Sequence, residues 1–475
     1  MGAQAAEDLV PDRAEEDFEV VWRDPKDLVP HPLNIRHHPE AQVQEICERL
    51  TTLGQYKTVT LGGYKGQEVI LTGHGVCEGV LKLGWPRVAC RLFEGSDNDG
   101  VKLMLGDNEV GNPLSEVGPR DDEAALLALA DEVQAAYGSL AGTGISEADL
   151  KRRREELEAE TAAQERAELE DPGAGEPPPE PQTKLGDVWV LGEHRVVCGD
   201  CTEPTTWEKL CKPGQVNVVF TSPPYAEQRK EQYGGVPPDE YIPWFEQVAT
   251  NAWAWLAEDG SFFVNLKEHC EDGERHLYVK KLVVYLREQC GWKFVDEFCW
   301  LRRSYPGAYS GRFKNAWEPV FHFAKANGWK HSPKAVLQDF KSDPAKMKTY
   351  AENPHIATAS GSPFEVGGKK SYEADGAWPD NVLEAMHIPG ECLHPASFPV
   401  GLPEWFARAF SESGDAIADP FLGSGTTLIA AEKLGRRAYG IELEPRYVDV
   451  TCRRWAQMTG QTPTLEGAGR PFALD

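Results

Sequence analysis

Two short stretches of this sequence place chemically useful residue types at useful spacings. The first is Thr221-Ser222-Pro223-Pro224-Tyr225, which directly follows the apolar run Val216 to Phe220. Consecutive prolines freeze the backbone, and the first of them holds Ser222 extended. A hydroxyl and one or two carbonyl oxygens are thereby fixed as acceptors beside an aromatic ring. Such a site suits a planar base bearing an amino group: the ring stacks on Tyr225, while the oxygens take the amine hydrogens and free the nitrogen lone pair to attack. Rigid punctuation between two elements is the competing reading of the same turn.

The second stretch is Asp419-Pro420-Phe421-Leu422-Gly423-Ser424-Gly425-Thr426-Thr427, with Glu442 seventeen residues after Gly425. Glycines let backbone approach a ligand closely, and the helix that follows offers free N–H groups. No Gly-Lys-Ser/Thr follows at P-loop spacing, and the third glycine of a dinucleotide fingerprint is missing. A carboxylate at Glu442 can accept both hydroxyls of a ribose. The pair points to a nucleoside ligand without a pyrophosphate. A glycine turn that merely packs a helix on a sheet is the alternative.

The elements needed to hold these turns are legible. Val216–Phe220, Gly260–Leu266 and Pro319–Lys325 read as buried strands. Residues 416–435 read as strand, glycine turn and helix with Gly435 as its C-cap, and 436–458 as a further strand and a helix beginning at Pro445. Strand–helix alternation of this kind predicts an open, mostly parallel α/β sheet with ligands beyond the carboxyl ends of its strands. Cys198 and Cys201 form a lone C-x-x-C with no second pair or suitable histidine, so they are read as thiols flanking Asp200 and no metal is expected.

The chain has 475 residues with 49 Lys+Arg against 76 Asp+Glu, a net charge of −27. Taken in bulk, that would repel a nucleic acid. The acidity is uneven, however. Residues 1–110 carry −8, 111–183 carry −12 and 184–475 only −7, while 301–350 carry +7, with Tyr305, Tyr309, Phe313, Trp317, Trp329, Phe340 and Tyr350 interleaved. Cations beside stacking rings are what a nucleic-acid surface needs; an ordinary solvated face is the alternative. Residues 121–138 and 146–171 read as a helix pair, the second almost wholly charged, and DPGAGEPPPEPQT (171–183) as a Pro/Gly-rich linker able to pack into no core. No run of about 18 apolar residues occurs and the N-terminus has no secretory h-region, so no membrane partner is expected. Eleven scattered cysteines suit reduced thiols, and a cytoplasmic location is expected.

TSPPY at 221–225, DPFLGSGTT at 419–427 and Glu442 together resemble the amino-group DNA methyltransferases in their permuted order, in which the catalytic motif precedes the cofactor motif. CGDCTE (198–203), NAWEPVFHFAK (315–325) and HPASFPVGLPEWFARAF (394–410) add to the resemblance, which covers roughly residues 184–460. It implies a Rossmann-like, S-adenosylmethionine-dependent methyltransferase sheet. Asp200, Asp419, Phe421, Gly423, Gly425, Thr426 and Glu442 would hold S-adenosylmethionine. Ser222, Pro223, Pro224 and Tyr225 would hold a flipped base for direct methyl transfer. A variable target-recognition region would fall at about 301–376, with Arg302, Arg303, Arg312 and Lys314 on DNA. Serine before Pro-Pro-Tyr leans the expectation to the N4 amine of cytosine. N6 of adenine, and a non-catalytic DNA-binding adapter with a decayed methylase fold, stay open. Double-stranded DNA is the expected partner, with a homodimer and a cognate restriction nuclease possible beside it.

Residues 19–110 look like a smaller α+β domain of the ParB/sulfiredoxin-like fold. The resemblance lies in Asn34-Ile35-Arg36, the helix 41–54, VILTGHGVCEGVLKLGW (69–85) and Gly106-Asp107-Asn108. Many such domains bind nucleotide phosphates at a Gly-x-x-Arg turn; here Gly73-His74-Gly75-Val76-Cys77-Glu78 lacks the arginine, and an accessory DNA-positioning role is expected. The acidic segment and linker, 111–183, would join it to the methyltransferase domain.

Overall fold

The computed structural model describes residues 20–34, 36–110, 120–121, 127–128, 130–131, 134, 146–226, 235–271, 273–302, 313, 315–339, 355–357, 363–365, 372–373, 376–384 and 398–474. The chain divides into two compact units, Met1–Ala162 and Ala163–Asp475.

In the first unit a four-stranded sheet is formed by β1 (Val20–Arg23), β2 (Val59–Tyr64), β3 (Gln67–Thr72) and β4 (Val88–Leu92), in the order β1-β4-β2-β3. Helices α1 (Glu40–Leu53), α2 (His74–Lys82) and α3 (Asp97–Val110) accompany it. Leu50, Val76, Val80, Leu61 and Cys90 share its core. Gly73 opens α2 in the left-handed region (φ 89°), and a Cβ there would meet the Val59 backbone at 3.2 Å. In sequence, the charged stretch that follows forms α4 (Glu147–Ala167).

The second unit is built on a ten-stranded sheet. Its strands are β5 (Val188–Leu191), β6 (His194–Cys198), β7 (Val216–Thr221), β8 (Leu256–Asn265), β9 (Lys293–Leu301), β10 (Trp317–Ala324), β11 (Val382–Leu383), β12 (Ala416–Asp419), β13 (Arg437–Glu442) and β14 (Thr464–Leu465). Their order is β11-β9-β10-β8-β7-β12-β13-β6-β5-β14. The five central strands β8, β7, β12, β13 and β6 run parallel, and antiparallel pairing with β10 on one side and β5 on the other extends the sheet. Parallel strands bury both faces, which is why they read as continuous apolar runs. Val218 and Phe220 join one core with α7 (Gly401–Phe410), α8 (Thr426–Lys433) and α9 (Pro445–Thr459). Val219 joins the other with α5 (Tyr241–Trp255) and α6 (Tyr278–Glu288).

The predicted mostly parallel α/β sheet is thus observed, with the strands and helices of 216–458 where the sequence patterns place them; the helix expected over 121–138 lies largely outside the described residues. Helix α8 ends at Leu434, and Gly435 takes the left-handed position just beyond it (φ 62°). One expectation is overturned. Residues 171–183 were read as a linker that packs into nothing, yet Asp171 forms a buried ion pair with Arg454 on α9, and Thr183 hydrogen-bonds Asp449 on the same helix. Polar anchors rather than apolar side chains make these attachments, so a reading based on hydrophobic content passes over them.

Candidate functional site

The loops that leave the carboxyl ends of β6, β7, β8, β12 and β13 surround a cavity of about 450 Å³. That is the expected position for a ligand in an open α/β sheet. Its volume lies in the range of small-molecule sites, roughly 300–1,000 Å³. Ser222, Pro223, Pro224 and Tyr225 line it after β7, and Phe421, Gly423, Ser424 and Thr426 after β12. Glu442 reaches it from the end of β13 and Asp200 from the turn after β6. The two stretches picked out by residue type alone, nearly 200 residues apart in sequence (roughly, by their numbering), therefore face one space.

Asp419 and Gly425 do not line the cavity; they brace it. Asp419 is 1 % exposed and accepts hydrogen bonds from Thr221 Oγ1 (2.7 Å), Thr427 Oγ1 (2.7 Å) and the Phe421 amide (3.0 Å). One carboxylate thereby ties the end of β7 to the glycine turn. Burial pushes its carboxyl up to about 6, against the pull of Thr427, Thr221 and the Phe421 amide. Gly425 starts α8 at φ 86°, where a Cβ would lie 2.8 Å from the Thr451 side chain of α9. Its absence of a side chain lets the two helices meet.

Glu442 is 3 % exposed. Its two oxygens accept one amide each, Gly423 N at 2.8 Å and Glu444 N at 2.8 Å. A carboxylate has about four lone-pair sites, so acceptor capacity is left for further donors. Burial is the main reason its carboxyl is pushed up to about 7, with the Glu444 and Gly423 amides opposing. Asp200 accepts from the Thr202 amide and hydroxyl, both at 2.8 Å, which fixes its turn at the cavity rim. Cys198 and Cys201 are buried beside it, and burial pushes the Cys198 thiol up to about 12.

At the other end, Tyr225 OH donates to Glu318 Oε2 at 3.1 Å. Glu318 stands at the start of β10, 1 % exposed, and its Oε1 accepts from Lys267 Nζ and Arg302 Nη1, each at 2.7 Å. Lys267 lies 5.8 Å from the Tyr225 ring centroid, and Arg302 lies 4.9 Å from that of Trp300. The turn itself is held from below. Tyr241 OH donates to the Pro224 carbonyl at 3.0 Å, and the Ala226 amide donates to Tyr278 OH at 3.4 Å. Because β10 runs against its neighbours, its first residues arrive at the carboxyl end of the parallel strands, where Glu318 meets Tyr225.

The sequence reading missed Glu318 as a site residue, and with it Lys267. The one available signal was an ionisable residue opening the otherwise apolar strand Trp317–Ala324. Arg302, expected on DNA, lines the cavity and pairs with Glu318. Arg303, Arg312 and Lys314 lie outside the described residues. Two further cations of the basic window are also tied into the fold: Lys325 donates to the Leu256 carbonyl at 2.6 Å and Lys330 to Asp415 at 2.8 Å.

A doubly covered parallel sheet, a glycine turn with a hydroxyl-accepting carboxylate and an acceptor-bearing aromatic turn define a methyltransferase-type α/β enzyme. The N6/N4 DNA methylase family profile matches residues 216–453, half of the chain, and the chain belongs to that family. The type II methyltransferase M.PvuII of Proteus hauseri is 29% identical over 264 residues, 50% of this chain and 78% of that protein. M.BglII of Bacillus subtilis is 26% identical over 241 residues, 50% of this chain and 62% of that protein. A solved structure of the PvuII DNA methyltransferase (cytosine-N4-specific) is 26% identical, covering 57% of this chain and 90% of that one with a TM-score of 0.43.

Proposed function

We propose that this DNA methyltransferase transfers a methyl group from S-adenosylmethionine to the exocyclic N4 amine of a cytosine turned out of the duplex. The observation that carries the reading is the shared cavity, in which the Ser222–Tyr225 turn faces Gly423 and Glu442. The residues present fit the cofactor. Glu442 has acceptor capacity for ribose hydroxyls, the Gly423 turn would bring bare backbone to the ligand, and Asp200, on the same cavity, would meet the adenine end. When bound, S-adenosylmethionine supplies an electrophilic methyl group on sulfur.

The chain's own residues do the rest. Pro224's carbonyl already accepts from Tyr241; we assign the Ser222 hydroxyl and the carbonyls of Ser222 and Pro223 as acceptors for the target amine. They orient the amine and draw on its hydrogens, which leaves the lone pair directed outward. Tyr225 stacks on the base and offsets part of the few kcal/mol needed to extrude it. Asp419 keeps both loops at one separation, so base and cofactor are positioned by a single buried group. No covalent nucleophile is required: the amine nitrogen would take the methyl as the bond to sulfur breaks, S-adenosylhomocysteine would leave, and the amine's surplus proton would pass to solvent by way of the acceptors that held it.

Along the edge that carries its amine, cytosine presents two acceptors, the ring N3 and the carbonyl O2; adenine presents only N1 along that edge, its N7 lying on the opposite side of the amine. Lys267 and Arg302 bring donors to the Tyr225 end of the cavity, which favours cytosine. The PvuII enzyme, described as cytosine-N4-specific, supports the same choice. The type II methyltransferases among this chain's relatives support looking for a cognate restriction nuclease as a partner. For the first unit we propose a ParB/sulfiredoxin-like accessory domain, supported by its α+β sheet and the Gly73 turn that opens α2. The test is transfer of labelled methyl groups to unmodified DNA, followed by mass spectrometry of the nucleosides. N4-methylcytosine is expected. N6-methyladenine would overturn the choice of base, and no incorporation would overturn the enzyme.

A further inference from the structure

The segment ahead of the methyltransferase fold is fastened at both ends to one helix. At its start, Arg454 Nε and Nη2 donate to the two oxygens of Asp171 at 2.8 and 2.6 Å, and both side chains are less than a tenth exposed. At its end, the amides of Gln182 and Thr183 donate to the Asp449 carboxylate at 2.6 and 3.1 Å. Trp189 Nε1 in turn donates to Thr183 Oγ1 at 2.8 Å. Asp449 is itself 1 % exposed.

Arg454 and Asp449 stand five residues apart on α9, about 7.5 Å along its axis. The chain between Asp171 and Gln182 could span roughly 36 Å if extended. The surplus has to arch away from the helix. It bends through left-handed Gly173 (φ 81°) and Gly175 (φ 62°), and the Gly173 amide donates to Asp171 Oδ1 at 3.0 Å. At the top of the arch, Ala174, Gly175 and Pro177 line the same cavity as Gly423 and Glu442.

The Arg454 guanidinium also reaches the glycine turn. Its Nη1 donates to the Ser424 carbonyl at 3.0 Å and to Thr426 Oγ1 at 3.2 Å. One side chain therefore fixes the arch and the cofactor turn against each other. Burial alone would raise the Asp171 carboxyl, but the Arg454 hydrogen bonds and charge, aided by the Gly173 amide, bring it below the ordinary value.

We propose that residues 171–177 form a wall of the nucleoside-cofactor site, supplied from outside the residues 216–453 that the family profile matches and held by the Asp171–Arg454 pair. The proposal rests on the cavity being the S-adenosylmethionine site. The residues that face the ligand, Ala174, Gly175 and Pro177, are small or cyclic and carry no charge, so the wall's contribution is shape and exclusion of water around the ligand. Occupancy and strap order are then coupled, each favouring the other by the same factor.

The experiment uses the full-length chain and S-adenosylhomocysteine, the spent cofactor, so no turnover is required. Calorimetry is to be run on the wild type, Asp171→Asn and Ala174→Trp. The last keeps the ion pair and fills the cavity from a partly exposed position. Each variant is expected to weaken binding by about tenfold. Hydrogen exchange across 171–177 is expected to slow on ligand addition in the wild type, and less so in Asp171→Asn. Wild-type binding with undiminished affinity in Ala174→Trp and no ligand protection of the strap would overturn the wall while leaving the cofactor site in place. A wild type that binds no S-adenosylhomocysteine would overturn the cofactor site itself and the wall with it.

Discussion

The two ends of the cavity solve the same problem, a buried carboxylate, in opposite ways. At the Tyr225 end Glu318 is met by Lys267 and Arg302, so burial is offset by two cations. At the glycine-turn end Asp419 and Glu442 are met by hydroxyls and backbone amides and, among the described residues, form no ion pair. Hydrogen bonds offset burial only in part, and both carboxyls are pushed up, to about 6 and about 7. An ion-paired acid is a fixed strut. An acid raised by burial towards neutrality, as Glu442 is against the pull of two amides, is responsive, and its charge would be completed by hydroxyl donors from a ligand.

The largest effect expected from this contrast comes from dividing the two ends by substitution. Tyr225→Ala removes the stacking face and should lower methyl transfer about 1,000-fold, with S-adenosylhomocysteine affinity within about twofold of wild type. Equal turnover in this variant would contradict the flipped-base role. Next in size, Glu442→Gln should weaken S-adenosylhomocysteine about 30-fold by calorimetry, while the rate at saturating cofactor changes much less. If both variants lost affinity alike, the cavity would have one function rather than two ends.

Acidification should follow, with about a tenfold effect between pH 8 and pH 6. The Glu442 carboxyl is raised from its ordinary 4.5 to about 7, so the cofactor's hydroxyls meet a full acceptor above that value and a protonated group below it. Affinity should fall as pH drops through about 7, and Glu442→Gln should show a flat profile. The stability of the empty protein runs the other way. Between the unfolded value and about 7 the folded chain holds the extra proton, so stability from this group declines as pH rises through that window. Thermal melts with and without S-adenosylhomocysteine would display the two opposed slopes.

Much of this site was legible in the sequence, and the reasons differ by residue. Ser222–Tyr225 and Gly423–Glu442 announce themselves because proline and glycine impose backbone geometry that no neighbour has to supply. Asp419 was visible as part of its motif, but its use as a tie between two loops depends on Thr221, almost 200 residues earlier (roughly, by numbering). Glu318 was hidden because its meaning lies in Lys267 and Arg302, which arrive from the ends of other strands through sheet order alone. Arg302's pairing was hidden for the same reason: a cation in a basic window shows no buried partner until the fold supplies one. The strap was misread because Pro/Gly composition describes what a segment lacks, and Arg454 and Asp449 supply its anchorage from a helix whose inward polar face no periodicity rule marks as binding.

The smallest predicted effect tests whether Glu318 acts through the tyrosine hydroxyl or only beside it. Tyr225→Phe keeps the ring and deletes the hydrogen bond to Glu318 Oε2. Glu318 retains Lys267 and Arg302, so the carboxylate is not stranded and no buried charge is exposed by the change. The loss should therefore be that of a single hydrogen bond to a charged group, about 1.5–3 kcal/mol at most, and less where water replaces the partner. Methyl transfer is expected to fall about fivefold to tenfold, far above the Tyr225→Ala rate. A Phe variant as slow as the Ala variant would mean that the hydroxyl, anchored on Glu318, sets the position of the base. A Phe variant equal to wild type would assign the whole contribution to the ring face and leave Glu318 as a strut for the two cations.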